Sequence, residues 1–335
     1  MITVAALPAQ PIPWKQSLRE AFRDLDSLLD FLGLHRDQVE TDAAAQAQFP
    51  ILVPRGFAMR MRHGDANDPL LLQVLPQAAE MQNRAGFVSD PVGDLKQTRS
   101  RGLIQKYAHR VLLITTGSCA VHCRYCFRRH FPYSEEIAAS DNWREAVDEI
   151  RADASIHEVI LSGGDPLSLA THKLQALTDA LAEIPHIRRL RVHTRWPIVL
   201  PERVDAELLH WLHGLKWPCV FVVHANHANE IDGSVANCFA QLRAVRVNVL
   251  NQAVLLRRIN DSVMAQRALS EALMQAGAMP YYLHLLDPVA GAAHFAVEEA
   301  RALELADALR AELPGYLVPR LAREIAGAPS KTILR

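Results

Sequence analysis

The sequence lacks three features that would assign it to common classes of protein. It has no excess of either charge: Lys+Arg 36 and Asp+Glu 37 leave a formal net charge of -1, so no global field attracts nucleic acid or an anionic membrane. No apolar run approaches the roughly 18 residues of a membrane span, and the start, MITVAALPAQPIPWK, lacks the basic and apolar regions of a secretory signal. We therefore expect a cytoplasmic protein that acts on a small molecule, with no nucleic-acid or membrane partner.

Cysteine is also scarce, and its distribution is uneven. Three of the five cysteines, Cys119, Cys123 and Cys126, fall within the segment CAVHCRYC. Because thiols stay reduced in the cytoplasm, such a cluster indicates metal binding or catalysis rather than a disulfide framework. Cys219 and Cys238 stand alone in apolar contexts, and we expect both to be small buried hydrophobic residues.

From residue 110 onward, short β-branched apolar runs alternate with segments of helical periodicity. The alternation predicts six βα units and therefore a parallel sheet. Eight units close a full barrel, so six predict a partial, open (β/α)6 barrel of the α/β class. The predicted strands are residues 110–116, 158–164, 189–195, 219–225, 246–256 and 280–286.

The chain divides into three predicted parts. Residues 1–100 carry helical patterns such as LREAFRDLDSLLDFLGL but no βα alternation, which indicates a helical N-terminal extension. Residues 101–313 form the partial barrel, and residues 314–335 form a short C-terminal segment.

Chemically distinctive residues follow the predicted strands. In a parallel barrel the carboxyl ends of the strands share one face, where active sites are built. We therefore expect these residues to converge: Cys119 just after the first strand, Gly163, Gly164 and Asp165 where the second ends, Arg195 at the end of the third, His224 at the end of the fourth and Asp287 after the sixth.

Two kinds of site agree with three cysteines spaced in this way. Three thiolates hold three irons of a [4Fe-4S] cluster, which leaves the fourth iron open for the amino and carboxylate groups of S-adenosylmethionine. Alternatively, the cysteines and either His122 or His130 form a closed Cys3His zinc site in a binding protein without turnover.

Several motifs resemble a known family. CAVHCRYC resembles the signature of radical S-adenosylmethionine (radical SAM) enzymes, and SGGDPL is similar to their GGD/GGE motif. Over residues 50–335 the chain resembles the lysine 2,3-aminomutases, most closely the branch that makes (R)-β-lysine for modification of elongation factor P. The blocks that carry this resemblance are FRRHF, HTRWPIVLP, HANHANE, NQAVLLRRIND, PYYLHLLDPVAGAAHF and GYLVPRLAREIAGAPSKT.

The resemblance implies cofactors and the residues that hold them. Cys119, Cys123 and Cys126 would bind a [4Fe-4S] cluster. S-adenosylmethionine would lie along four residues: Gly163, Gly164, Asp165 and His224.

A third implied cofactor is pyridoxal 5′-phosphate. Lys331, in GAPSKT, would form a Schiff base with it, and Arg110 and Gln252 would hold its phosphate. Lys106 stands where the clostridial enzymes carry a second arginine directed at that phosphate.

The substrate implied by the resemblance is L-lysine. Arg128 would pair with its α-carboxylate, while Asp287 and Glu324 would bind its ε-ammonium, since a buried cation needs anionic partners. The reaction would move the α-amino group to C3, with one electron from an external reductant, and it would be linked functionally to elongation factor P and its lysyl ligase. Among enzymes, the alternative is an aminomutase that acts on another amino acid, such as glutamate or ornithine.

Overall fold

One ten-stranded sheet forms the centre of the protein. The structure is a computed structural model, and it describes residues 13–136 and 143–335. The strands lie in the sheet in chain order, from β1 at one edge to β10 at the other. They are β1 (Thr98–Ser100), β2 (Leu103–Tyr107), β3 (Arg110–Thr116), β4 (Glu158–Gly163), β5 (Arg189–Thr194), β6 (Cys219–Val223), β7 (Asn248–Leu255), β8 (Met279–Leu285), β9 (Arg320–Arg323) and β10 (Thr332–Ile333).

The central part of this sheet is parallel. Each neighbouring pair from β3 to β9 runs in the same direction, with registers such as Leu112 opposite Ile160 and Val192 opposite Phe221. Strand β4 is buried along its whole length, as expected for a central strand of a parallel sheet with both faces covered. In the described part of the chain β1 and β10 stay at opposite edges, so the six predicted strands and the open partial barrel are confirmed.

Helices connect the parallel strands, and the six predicted connecting helices are confirmed. Local chemistry fixes both ends of the helix Val263–Ala276: the side chain of Ser262 caps its amino end, and Gly277 ends it with φ 92°. The helices are α1 (Trp14–Arg19), α2 (Leu25–Leu32), α3 (Ala43–Gln48), α4 (Arg55–Ala58), α5 (Tyr133–Glu136), α6 (Arg144–Ala152), α7 (Thr171–Ala182), α8 (Trp196–Val199), α9 (Ala206–His213), α10 (Gly233–Ala244), α11 (Val263–Ala276) and α12 (Glu299–Glu312).

The long helical pattern near the N-terminus does not form one helix. It breaks between α1 and α2, where Phe22 pairs its backbone with Val53 in both directions. Asp24 then caps α2, because its carboxylate accepts a hydrogen bond from the backbone N–H of Ser27 at 2.8 Å. A contact with a distant segment and a local cap therefore outweigh the continuous apolar periodicity.

Four strands lie outside the predicted βα pattern. The hairpin of β1 and β2 adds to β3 in antiparallel fashion. Strand β9 is a seventh parallel strand beside β8, and β10 pairs antiparallel with it. These strands have two to five residues each, too few for periodicity to distinguish them from loops.

The N-terminal segment and the barrel share one hydrophobic core. Phe22, Leu28 and Phe57 belong to the same cluster as strand residues such as Leu161 and Phe221. Cys219 and Cys238 lie in this core, as expected. The division at residues 100 and 313 stays a prediction. None of the helices within residues 13–136 and 143–335 is both long enough and apolar enough to cross a bilayer.

Candidate active site

A cavity of about 650 Å³ opens at the carboxyl ends of the parallel strands. Residues from the N-terminal segment, the barrel and the C-terminal strands line it together, so no single part of the chain forms it. Every candidate residue named from the sequence lines this cavity: Arg110, Cys119, Cys123, Cys126, Arg128, Gly163, Gly164, Asp165, His224, Gln252, Asp287, Glu324 and Lys331.

The three cysteines lie in the loop after β3. The loop is anchored through its backbone: the N–H of His122 donates to the carbonyl of Leu52, and that of Arg124 to the carbonyl of Gln73. Burial, followed by the charges of Asp165 and the two neighbouring thiols, raises the pKa of Cys119. Burial and the neighbouring Cys123 raise the pKa of Cys126 to about 11. Cys119 and Cys126 therefore keep their protons unless a cation binds beside them.

The GGD turn packs tightly against this loop. A Cβ on Gly164 would lie 2.5 Å from the carbonyl oxygen of Ser118, and one on Gly163 would lie 2.6 Å from that of Thr116. The glycines are thus required where the turn meets the cysteine loop. This close approach is to protein backbone, where only a residue without a Cβ fits.

Asp165 is held inside the protein by hydrogen bonds. Its carboxylate accepts from the hydroxyl of Thr194 at 2.7 Å and from the backbone N–H of Arg195 at 2.6 Å. Burial raises its pKa to about 7, although these hydrogen bonds act in the opposite direction. The aspartate therefore ties the turn after β4 to the end of β5.

Three histidines from neighbouring strands face the cavity: His193, His224 and His284. Burial lowers the pKa of all three, that of His224 to about 4, so each ring is neutral at pH 7. Among the described residues, the Nε2 atoms of His193 and His284 are buried and have no hydrogen-bond partner. Unsatisfied buried nitrogens at a cavity are positions where a bound molecule is expected to donate or accept.

Lys331 lies immediately before β10 and is held by Glu324. Its Nζ is 2.7 Å from Oε2 of Glu324, whose other oxygen accepts from the hydroxyl of Tyr107 at 2.6 Å. Burial would raise the pKa of Glu324, but the charge of Lys331 and these hydrogen bonds outweigh burial and lower it. Glu324 is therefore an ionised partner for a cation.

A second ion-pair group lies beside the first. Asp94 is buried and forms two ion pairs. Its Oδ2 lies 2.7 Å from Nε of Arg128, and its Oδ1 lies 2.7 Å from Nζ of Lys106. Lys106 also lies 3.7 Å from Glu324. Charges thus alternate across the cavity from Lys331 through Glu324, Lys106 and Asp94 to Arg128.

Asp287 follows β8 and is partly buried. Burial raises its pKa to about 7; the charge of Lys331 acts against this rise, and that of Glu324 adds to it. A cation that reached this carboxyl group would favour its ionised form.

Arg110 presents an uncompensated charge to the same cavity. Among residues 13–136 and 143–335, no carboxylate lies within ion-pair distance of its guanidinium, which lies 4.6 Å from the ring centroid of Tyr107. Gln252 lines the cavity from β7. An unpaired guanidinium with an amide on the same cavity is suited to a phosphate group.

Known proteins share both the motifs and the length of this chain. The profile of the Radical SAM superfamily matches residues 113–212. An L-lysine 2,3-aminomutase of Haemophilus influenzae is 43% identical over 332 residues, which cover 98% of this chain and 98% of that protein. The chain belongs to the lysine 2,3-aminomutase family of radical SAM enzymes. The L-lysine 2,3-aminomutase of Escherichia coli K12 is 44% identical over 96% of this chain and 94% of its own. That of Clostridium subterminale is 30% identical over 95% of this chain but only 77% of its own.

Membership of this radical SAM family makes the chain an isomerase and implies a [4Fe-4S] cluster with S-adenosylmethionine. The donor set fits such a cluster, because the three thiols lie on one loop that lines the cavity, where burial and the charges of Asp165, Cys126 and Cys123 raise the pKa of Cys119. Within the described residues, no three His, Cys, Asp or Glu side chains are grouped around a point suited to a single metal ion.

The alternative zinc-bound protein without turnover is not supported. The family is one of enzymes, and both histidines considered as the fourth zinc ligand have other partners. His122 contacts the carbonyl of Pro50 through Nδ1 and stacks on Phe49, while His130 contacts the carbonyl of Ala290 through Nε2.

Lysine 2,3-aminomutases depend on pyridoxal phosphate, and the residues present fit this cofactor as well. Lys331 and Arg110 line the cavity, and so does His284, whose Nε2 has no hydrogen-bond partner within the described part of the chain. Lys106, at the position of a second phosphate-directed arginine in the clostridial enzymes, is engaged with the carboxylates of Asp94 and Glu324.

Sequence reasoning missed several residues of this aminomutase site. Asp94 lies in a loop of proline and glycine and carries no motif, and only the tertiary structure brings it to Arg128. Tyr107 lies on the unpredicted strand β2. His193 alternates with buried residues along β5, and this alternation is the one signal that was available for it. His284 lies in a buried stretch of β8 that shows no such alternation.

Proposed function

We propose that this chain is an L-lysine 2,3-aminomutase that moves the α-amino group of L-lysine to C3. One observation carries the proposal: the loop with three thiols, Lys331 and a pair of carboxyl groups suited to a cation, Asp287 and Glu324, all line one cavity. When bound, the cluster with S-adenosylmethionine would supply a carbon-centred radical, and pyridoxal phosphate would supply an electrophilic carbonyl group and a conjugated ring for the migrating amino group. The protein residues bind and orient the reacting groups around these cofactors.

In this proposal the cofactors occupy different sides of the cavity. Cys119, Cys123 and Cys126 hold the cluster, and Gly163, Gly164, Asp165 and His224 lie along S-adenosylmethionine. Lys331 attaches pyridoxal phosphate, with Arg110 and Gln252 at its phosphate. The neutral imidazole of His224 supports this division, because it has no charge to repel the sulfonium of S-adenosylmethionine.

Arg128 is proposed to bind the α-carboxylate of the substrate. Its Nε donates to Asp94 and its Nη1 donates to Ser162 Oγ at 3.1 Å. Both contacts fix the guanidinium plane, so the remaining N–H groups are oriented before a ligand arrives. A preorientated guanidinium loses less freedom when it binds a carboxylate.

Asp287 and Glu324 are proposed to receive the ε-ammonium. Lys331 itself supports this assignment, since its own ammonium already lies 2.7 Å from Glu324. The same carboxylates argue against glutamate as the substrate, because its side-chain carboxylate would be repelled there. Ornithine carries the same charge as lysine on a shorter chain, so the experiment below includes it.

The product is proposed to be (R)-β-lysine, used with a lysyl ligase to modify elongation factor P in the cytoplasm. The support is the resemblance of CAVHCRYCFRRHFPY and GYLVPRLAREIAGAPSKT to the branch with that role. A reducing compartment also suits three thiols that must remain available for iron.

The test is an anaerobic assay of the reconstituted protein. Iron, sulfide, S-adenosylmethionine, pyridoxal phosphate and dithionite are supplied with 13C-labelled L-lysine, and products are resolved by chiral chromatography with mass detection. Labelled β-lysine is expected, and its enantiomer tests the link to elongation factor P. Parallel reactions with ornithine and glutamate test the substrate. If 5′-deoxyadenosine forms without β-lysine, the assigned substrate is wrong; if neither forms although the cluster is intact, the aminomutase assignment fails.

A further inference from the structure

Arg195 reaches one of the three cysteines from the opposite side of the cavity. Its Nη1 lies 2.7 Å from the sulfur of Cys123 and 2.6 Å from the hydroxyl of Tyr125. The arginine follows β5, so it comes from a different strand end from the cysteine loop. This contact has no part in the binding of pyridoxal phosphate or lysine described above.

A buried network fixes the position of this guanidinium. Its Nη2 donates to Glu230 at 2.9 Å and to Gln73 at 2.7 Å. The other oxygen of Glu230 accepts from the side chain of Gln73 and from two backbone N–H groups, those of Asn226 and His227. Glu230 and Gln73 are fully buried. With both oxygens of Glu230 occupied, the guanidinium has no freedom to turn away from the sulfur.

The backbone of Arg195 adds a second constraint. Its N–H donates to the carboxylate of Asp165 in the GGD turn. One residue therefore connects the turn after β4, the end of β5 and the cysteine loop. The three sulfurs consequently lie in different electrostatic surroundings, with a cation at Cys123 and the carboxyl group of Asp165 near Cys119.

We propose that Arg195 is a positioning residue that orients Cys123 and makes the cluster easier to reduce. The inference rests on the proposed function, in which Cys123 binds the cluster. Reduction adds one electron from the external one-electron donor to the cluster and breaks no bond. A nearby positive charge and an N–H···S hydrogen bond stabilise the more negative, reduced form more than the oxidised form, and such hydrogen bonds are known to set cluster potentials.

The experiment is a redox titration of the reconstituted protein, with the reduced cluster followed by electron paramagnetic resonance. In Arg195→Gln the midpoint potential is expected to become more negative, by at least a tenfold shift of the reduction equilibrium, or about 59 mV for one electron. Arg195→Lys keeps the positive charge but loses the planar guanidinium group, so its midpoint potential is expected to lie between those of the wild type and Arg195→Gln. The control is Arg203→Gln, since Arg203 is equally buried but donates to carbonyls of Leu167 and Leu169 and to Thr171, with no thiol contact.

A second variant distinguishes a direct effect of Arg195 on the midpoint potential from an indirect effect through loss of folding. Arg195→Gln leaves Glu230 buried without its cation, so the double variant with Glu230→Gln removes both charges together. Iron and sulfide content and thermal melting are measured for each protein. A double variant that is folded and loaded but has the wild-type potential overturns the proposal, as does an equal shift in Arg203→Gln.

Cys123→Ser distinguishes failure of this inference from failure of the proposed function. If Cys123→Ser assembles the same cluster with wild-type iron content and spectrum, the assignment of Cys123 is wrong and both proposals fall. If Cys123→Ser loses the cluster while the Arg195 variants keep the wild-type potential, the role of Arg195 alone is wrong.

Discussion

The ammonium of Lys331 lies 2.7 Å from Oε2 of Glu324, and the other oxygen of that carboxylate accepts a hydrogen bond from the hydroxyl of Tyr107. In the chain without cofactor, Lys331 therefore occupies the position proposed for the ε-ammonium of the substrate. A covalent link between Lys331 and pyridoxal phosphate would remove this ammonium and free Glu324 for another cation. The lysine proposed to attach the cofactor and the carboxylate proposed to bind the substrate are thus coupled by one ion pair.

Lys331→Ala tests the attachment of pyridoxal phosphate. Borohydride reduction of the wild-type protein is expected to fix a phosphopyridoxyl group on Lys331, found by peptide mass mapping, and the variant is expected to carry none. Activity should fall to background while iron and sulfide content stays at the wild-type level, because Lys331 is not near the cysteine loop in sequence or in its contacts. Phosphopyridoxyl found on another lysine of the wild type would contradict the assignment.

Arg128→Lys tests the carboxylate-binding role. Lysine keeps the charge but loses the planar fork that Asp94 and Ser162 hold in place. A lost charge-assisted hydrogen bond costs about 1.5–3 kcal/mol, so KM for L-lysine is expected to rise about tenfold to a hundredfold. Steady-state kinetics give the value, and the retained amounts of cluster and pyridoxal phosphate serve as controls. An unchanged KM would exclude Arg128 from substrate binding.

Asp287 predicts the pH dependence of lysine binding. Burial raises its pKa to about 7 in the free protein, whereas a bound ammonium would favour the ionised form and lower this pKa. Binding therefore releases a proton, so affinity is highest above pH 7 and falls by up to tenfold per unit as the pH falls through 7. KM measured between pH 6 and 8 checks this expectation.

The variant Asp287→Asn is the control for the pH profile. Its KM is expected to be higher at all pH values and to vary little between pH 6 and 8, because the titrating group is gone. Asp165, whose pKa is also about 7, remains in this variant. If the slope persists in Asp287→Asn, Asp165 or another group carries the proton.

Gly164→Ala tests the packing of the GGD turn. The new Cβ would lie 2.5 Å from the carbonyl oxygen of Ser118 and 2.7 Å from the backbone of Gly117, and backbone cannot move aside as a flexible side chain can. We expect the free energy of unfolding to fall by about 1–3 kcal/mol, measured by chemical denaturation. Gly56→Ala is the matched control, because no atom lies within 4 Å of its added Cβ. This helical substitution is expected to be neutral or to stabilise by about 0.5–1 kcal/mol. Equal effects in the two variants would show that the contact is not tight.

Local patterns determined much of the fold. The six parallel strands and their helices follow from apolar runs and helical periodicity, and these signals are local along the chain. Strands such as β9 and β10 were missed because two to four residues carry too little pattern. The break between α1 and α2 was missed because it depends on the pairing of Phe22 with Val53, a contact between distant residues.

By itself, the sequence determined the type of site: three clustered thiols and a GGD turn, each where a motif coincides with a predicted strand end, and a lysine in the motif GAPSKT. Tertiary structure alone decided which charges meet. Asp94 has no motif, yet it is the partner of both Arg128 and Lys106, and Arg195 is an ordinary strand-end arginine until folding brings it to Cys123. Ion pairs and hydrogen bonds depend on distances of a few ångströms between residues far apart in the chain, and neither spacing nor periodicity encodes such distances.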